Sequence, residues 1–180
     1  MRKLFCHIVI LLFITLLSAC GGGGGGGGGG NGRTPASSVK AVIKPSARSV
    51  EQNIAGIQLS ISVPAGVSPF VTSQGETDSA ATVEILSSVP ATHTLPGISY
   101  TPATPATTGR ITIVGVVVDG FGLNDQIMIH LKVADGADPH EKDFELLSFE
   151  AYDTSGAKVF DLNATGNTVT LSPTLTTTIQ

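Results

Sequence analysis

Residues 57–63 alternate without a break: Ile57, Leu59, Ile61 and Val63 on one parity, Gln58, Ser60 and Ser62 on the other. An extended chain sends successive side chains to opposite faces. One apolar face backed by one polar face therefore describes a strand in an antiparallel sheet with a single buried side. No stretch long enough for a three-turn helix shows a 3.6-residue apolar period, while Thr, Ser, Val, Gly and Pro recur throughout. The chain is expected to be all-β.

Other segments read the same way. Val39–Ile43 is a short β-branched run ended by Pro45, which suits a sheet edge. Val67–Val71 and Ala80–Leu86 flank a turn at Gln74–Ser79. Pro90, Pro96, Pro102 and Pro105 interrupt Ser87–Gly109 and leave room for one short strand at Ile98–Tyr100. The near-continuous Ile and Val of Arg110–Val118 predict a central strand buried on both faces, with Gly115 as a bulge or a close approach. A turn at Asp119–Gly122 then leads into Gln126–Ala134. There Ile127, Ile129, Leu131 and Val133 should face the core, and Gln126, Met128, His130 and Lys132 should face outward. Phe144–Tyr152 and Ala157–Leu162 flank Asp153-Thr154-Ser155-Gly156, a hairpin signal. Val169 and Leu171 suggest a last strand, and residues 173–180 read as a polar tail. Eight or nine short strands punctuated by turns predict a two-sheet antiparallel, jelly-roll-like sandwich over residues 39–172.

What precedes the sandwich is an address and a tether. Arg2 and Lys3 lead into the apolar run Ile8–Leu17, too short to span a bilayer core as a helix, and small residues follow. Leu17-Ser18-Ala19-Cys20 resembles the bacterial lipobox. The resemblance implies that residues 1–19 are a signal peptide and that Cys20 becomes a lipidated N-terminus carrying acyl chains such as palmitate. Gly21 follows the cysteine where Asp would signal retention, so it further implies sorting to the outer membrane. Gly21–Gly30 offers no side chain to bury and loses the most backbone entropy on ordering. Residues 20–38 are accordingly expected to be a flexible linker, its glycine run reaching about 17–19 Å.

Charge and composition narrow the function. Cleavage after Ala19 would remove Arg2 and Lys3 but no acidic residue, making the mature chain more acidic than the formal −4 of the whole. No basic footprint for nucleic acid is present. Cys6 leaves with the signal, and lipid occupies Cys20, so no disulfide is expected.

The strand sequences carry a resemblance of their own. Ile54-Ala55-Gly56-Ile57-Gln58-Leu59-Ser60-Ile61-Ser62-Val63 resembles an early strand of cohesin-type domains. Gly115–Val118, Gln126–Val133 and Phe144–Asp153 with Asp153-Thr154-Ser155-Gly156 are similar to later ones. Cohesins share a nine-stranded jelly-roll sandwich with the family 2 and family 3 carbohydrate-binding modules. The resemblance therefore implies a binding module for a protein partner such as a dockerin, or for a glycan. A structural or assembly lipoprotein of the envelope is the other reading of the same pattern.

Residues that could carry chemistry are few. A polysaccharide site needs exposed rings, yet the chain has no Trp, and most of Tyr100, Tyr152, Phe70, Phe121, Phe144, Phe149 and Phe160 fall on the inward parity of the expected strands. Tyr100 and Tyr152 are the candidates for stacking on sugars. Asp135, Asp138 and Glu141 form an acidic loop that could offer oxygen ligands to Ca²⁺, although it lacks the alternating spacing of a calcium-binding loop. His93, His130 and His140 share no zinc-ligand spacing, and no G-x-S-x-G nucleophile motif occurs. The expectation is a non-catalytic module without a cofactor.

Overall fold

The computed structural model describes residues 36–45, 54–86, 97–121 and 125–180, with residues 117–121 described by their backbone alone. The signal peptide, Cys20 and the glycine run lie outside the described residues, as do the loop expected at 46–53 and two of the four prolines expected to break 87–109.

The described strands are β1 (Ser38–Lys44), β2 (Ile54–Val63), β3 (Val67–Ser68), β4 (Val83–Leu86), β5 (Gly97–Thr101), β6 (Gly109–Phe121), β7 (Gln126–Val133), β8 (Leu146–Asp153), β9 (Lys158–Asp161) and β10 (Thr174–Ile179). One helical turn, α1 (Ser79–Thr82), and a 3-10 turn at Glu141–Asp143 complete them. The strands form two antiparallel five-stranded sheets. In the first the order is β10-β1-β7, with β3 and β4 sharing the far side of β7. In the second it is β5-β6-β2-β8-β9. The chain crosses repeatedly from one sheet to the other, which gives the jelly-roll-like two-sheet sandwich expected from the alternation.

The inward rows supply the core. Ile43, Ile57, Leu59, Ile61, Ile111, Ile113, Ile127, Ile129, Leu131 and Phe149 are all essentially inaccessible. β-Branched side chains dominate because they pack well on a pleated surface and lose little rotamer freedom there. Phe149 meets Phe160 edge to face, with ring centroids 6.2 Å apart.

Several expectations change. β6 is central in pairing, between β5 and β2, but not buried on both faces: Val114 and Val116 remain 45% and 47% exposed. Nothing covers the outer side of this antiparallel sheet among the described residues, so its apolar run is half in water. Gly115 faces inward against Ile57 and Ile85, and the register shift lies beyond it, where Gly56 pairs with Val116 but Ile54 with Phe121. The strand runs on to Phe121 through most of the expected turn. Met128, expected outside, is buried because β1 and β4 flank it at Val42 and Glu84.

Ala80–Leu86 is not one strand. Asp78 caps α1 by accepting from the Ala81 N–H at 3.1 Å, and only Val83–Leu86 is extended. The expected strand at Val67–Val71 shrinks to Val67–Ser68, with an isolated bridge from Val71 to Thr77.

The largest correction is at the C-terminal end. Val169 and Leu171 form no strand, and residues 173–180 are no tail. Thr174–Ile179 is β10, paired with β1 from Lys44 to Val39. Its threonines look polar in sequence, yet their branched Cβ favours an extended backbone, and Leu175 and Ile179 pack against the core. The linker end is also drawn in: Ser37 N–H donates to the Gln180 carbonyl at 2.8 Å, and Ser38 already belongs to β1.

Candidate functional site

The outer face of the second sheet is a trough floored by β2. Gly56, Gln58, Ser60 and Ser62 are the outward residues of that strand, and Ser60 and Ser62 are only 6% and 4% exposed although they face away from the core. Small side chains at the centre of a sheet sit below their neighbours. On one side rises β6 with Arg110, Thr112, Val114 and Val116; on the other, β8 with Ser148, Glu150 and Tyr152. Ser60 and Thr112 hydroxyls bond across the floor at 2.9 Å. Leucine-sized residues on β2 would fill this channel, and the alternation that identified β2 as a strand also keeps them out of it.

Tyr152 forms one wall. A Cβ placed on Gly56 would meet Tyr152 Cβ at 3.6 Å and Cδ2 at 4.0 Å, so this side chain stands directly beside the glycine. Its hydroxyl donates a very short hydrogen bond to Glu150 Oε2. Accepting that bond, the carboxylate holds the phenol above its ordinary range, with burial adding to the effect. Lys158 on β9 donates to Asp161 Oδ2 at 2.8 Å and to Glu150 Oε1 at 3.3 Å, which raises the Lys158 pKa. The same contact lowers that of Asp161, helped by the Asn163 N–H. The wall thus ends in a fixed polar set, Tyr152–Glu150–Lys158–Asp161, while Val114 and Val116 opposite are apolar.

At the Val63 end the trough opens into a cleft of about 520 Å³. Ser62, Pro64, the 103–108 loop, Lys142, Asp143 and Glu145 line it. Ser62 connects the two: its Oγ accepts from the Glu145 N–H at 2.8 Å and donates to the Asp143 carbonyl at 3.4 Å. The 103–108 loop is held by a Thr104–Thr107 turn whose hydroxyls lie 2.8 Å apart.

The residues expected from sequence divide around this surface. Tyr152 lies on it. Tyr100 does not: it is on the inward row of β5, packs against the core and donates its hydroxyl to the Val67 carbonyl at 2.9 Å. A ring placed there offers no face to a sugar. Asp135, Asp138 and Glu141 are exposed and spread along the β7–β8 connection. Among the described residues no group of three or more His, Cys, Asp or Glu could hold a metal ion. The connection turns at Gly136, with φ of +80°, and then enters the 3-10 turn, and this separates the carboxylates. His130 lies on the other sheet, 3.4 Å from Glu84, and His140 caps the 3-10 turn with Asp143. Sequence reading missed Val114 and Val116, because a run of Ile and Val does not reveal which face stays uncovered.

No helix of the described residues is long and apolar enough to cross a membrane. No protein-family model, curated protein or solved structure matches the chain.

Proposed function

We propose that this chain is a non-catalytic binding module, held on the bacterial outer membrane by a lipid on Cys20 and a glycine tether, and that a protein partner binds along the β2 trough. One observation carries the reading. Val114 and Val116 stand exposed two residues apart on a central strand, beside the small and polar floor residues Gly56, Gln58, Ser60 and Ser62 of β2 and on the same face as Arg110, Glu150 and Tyr152. Adjacent exposed apolar side chains facing a fixed polar wall are what a protein interface needs at its centre and rim. The lipobox-like Leu17–Cys20 supports the anchoring, and the cohesin-like strand pattern supports binding over catalysis.

A paired capture tests it. Full-length protein and the Val114→Lys/Val116→Lys variant are used as bait on envelope extracts under the same conditions. A specific partner recovered by the first and lost by the second, with unfolding midpoints unchanged, is the expected result. No partner, or the same partner with both, would sink the reading. A glycan array serves the carbohydrate-binding alternative, for which Tyr152 is the one described aromatic placed on the trough; loss of an array signal in Tyr152→Ala would favour it. Cys20→Ser should move the protein from the membrane to the soluble fraction.

A further inference from the structure

The open edge of the first sheet is unlike the other edges. β9 is short, carries Lys158 and Asp161, and has a register shift against β8. β3 has two residues, β4 has four and carries Glu84, and β5 is bounded by Gly97 and Pro102. Such features keep sheets from pairing edge to edge. β10 is preceded by Pro173, but Thr174–Ile179 itself contains no charge and no proline, and pairs with β1 over six consecutive residues without a shift.

Its hydrogen-bond parity is also determined. Ser38 and Gln180 exchange both backbone bonds, Ser38 N–H to Gln180 O at 3.2 Å and Gln180 N–H to Ser38 O at 2.9 Å. In an antiparallel ladder such pairs alternate, so Thr178, Thr176 and Thr174 bond inward to β1. Leu175, Thr177 and Ile179 then point their N–H and C=O groups at the open edge. Their side chains all lie on the core side, where Leu175 and Ile179 are only half-buried.

We propose that β10 pairs with β10 of a second copy of this chain, antiparallel about a two-fold axis through Thr177. That register sets Leu175 opposite the mate's Ile179 and joins the free backbone groups of both strands. It also brings the half-exposed Leu175 and Ile179 together across the axis. Thr176 and Thr178 face each other on the outer side, and no like charges meet. The strand is therefore complementary to itself in hydrogen bonding, side-chain size and charge, and the two first sheets become one. The trough on the second sheet stays open in both copies, so this pairing is independent of the binding proposed above.

The outer-side pair of Thr176 with the mate's Thr178 is a non-hydrogen-bonded pair, whose Cα atoms lie about 4.5 Å apart, within disulfide reach. Full-length Thr176→Cys/Thr178→Cys, oxidised under conditions that leave the parent chain uncrosslinked, should give a disulfide-linked dimer. Thr174→Cys, opposite Gln180, should stay at the parent level. Thr176→Lys/Thr178→Lys sets like charges opposite each other and should abolish the dimer in sedimentation, while Thr176→Lys/Thr178→Glu should restore it. A parent chain that is monomeric throughout, a dimer insensitive to both charge variants, or crosslinking of Thr174→Cys as strong as that of the double variant would overturn the proposal.

Discussion

The Tyr100 hydroxyl donates to the Val67 carbonyl oxygen at 2.9 Å, tying β5 of one sheet to β3 of the other. β3 has only two residues and two ladder partners, Val133 and Lys132. A cross-sheet bond is worth more there than at the centre of a long strand. Burial pushes the Tyr100 phenol up, as expected for a hydroxyl kept neutral among apolar neighbours. Tyr100→Phe keeps the ring and removes the donor. It should lower stability by about 1–2 kcal/mol, read from urea unfolding; an unchanged midpoint would show that the tie does not matter.

Phe149 is fully buried and meets Phe160 in a T-shaped contact at an interplanar angle of 66°. Phe149→Ala should cost about 3–5 kcal/mol, since it removes a large side chain from a site walled by two sheets that cannot collapse together. Phe149→Leu should cost clearly less. Equal losses for the two variants would argue against a cavity as the cause.

Gly109 and Gly115 lie on the same strand and should respond differently to alanine. A Cβ on Gly109 would sit 2.9 Å from the Ala103 N and 3.1 Å from the Thr101 O, both backbone atoms that cannot turn away. A Cβ on Gly115 would meet side-chain atoms of Ile57 and Ile85 at 3.5 Å and beyond. Gly109→Ala is expected to destabilise by roughly 1–3 kcal/mol and Gly115→Ala by less than about 1 kcal/mol. Thermal melts that reverse this order would refute the packing described for the 103–108 loop.

The polar wall of the trough predicts a pH response at both ends. Glu150 holds the Tyr152 phenol above the ordinary tyrosine value of about 10. A raised folded pKa means that this contribution is fully present below about pH 10 and is lost as pH rises through the folded value. Spectrophotometric titration in a Tyr100→Phe background should show Tyr152 ionising late, and Glu150→Gln should bring it down. Asp161, lowered chiefly by Lys158, and Asp153, lowered chiefly by the Ser155 hydroxyl, act in the opposite sense. Their contributions are present above the ordinary carboxylate value of about 4 and fade as pH falls below it. Lys158→Met should return the Asp161 titration upward; no movement would break the assignment.

Residues 174–180 look dispensable in sequence and are not. A chain ending at Pro173 strips one side of β1 and the apolar cover supplied by Leu175 and Ile179. The loss should be about 2–4 kcal/mol from that burial, measured against the whole chain in denaturant. Truncation without effect would return the segment to the status of a tail.

Period-two alternation was enough to predict β2 and β7, and the same parity placed Ile57, Leu59, Ile61, Ile127, Ile129 and Leu131 in the core. Asp153-Thr154-Ser155-Gly156 likewise announced its hairpin: Asp153 Oδ1 accepts from the Ser155 and Ala157 N–H groups, and Gly156 takes a φ of +81°. These features are local. Each depends on a few neighbouring residues and on the geometry of an extended chain or a tight turn, so the sequence alone could determine them. The exposure of Val114 and Val116, the inward turn of Tyr100, the separation of Asp135, Asp138 and Glu141, and the pairing of Thr174–Ile179 with β1 are of another kind. Each depends on which strand lies alongside and which face is left uncovered, through contacts between residues far apart in the chain. Only the tertiary structure decided those, because backbone hydrogen bonds and burial across sheets do not depend on the order in which the strands are written.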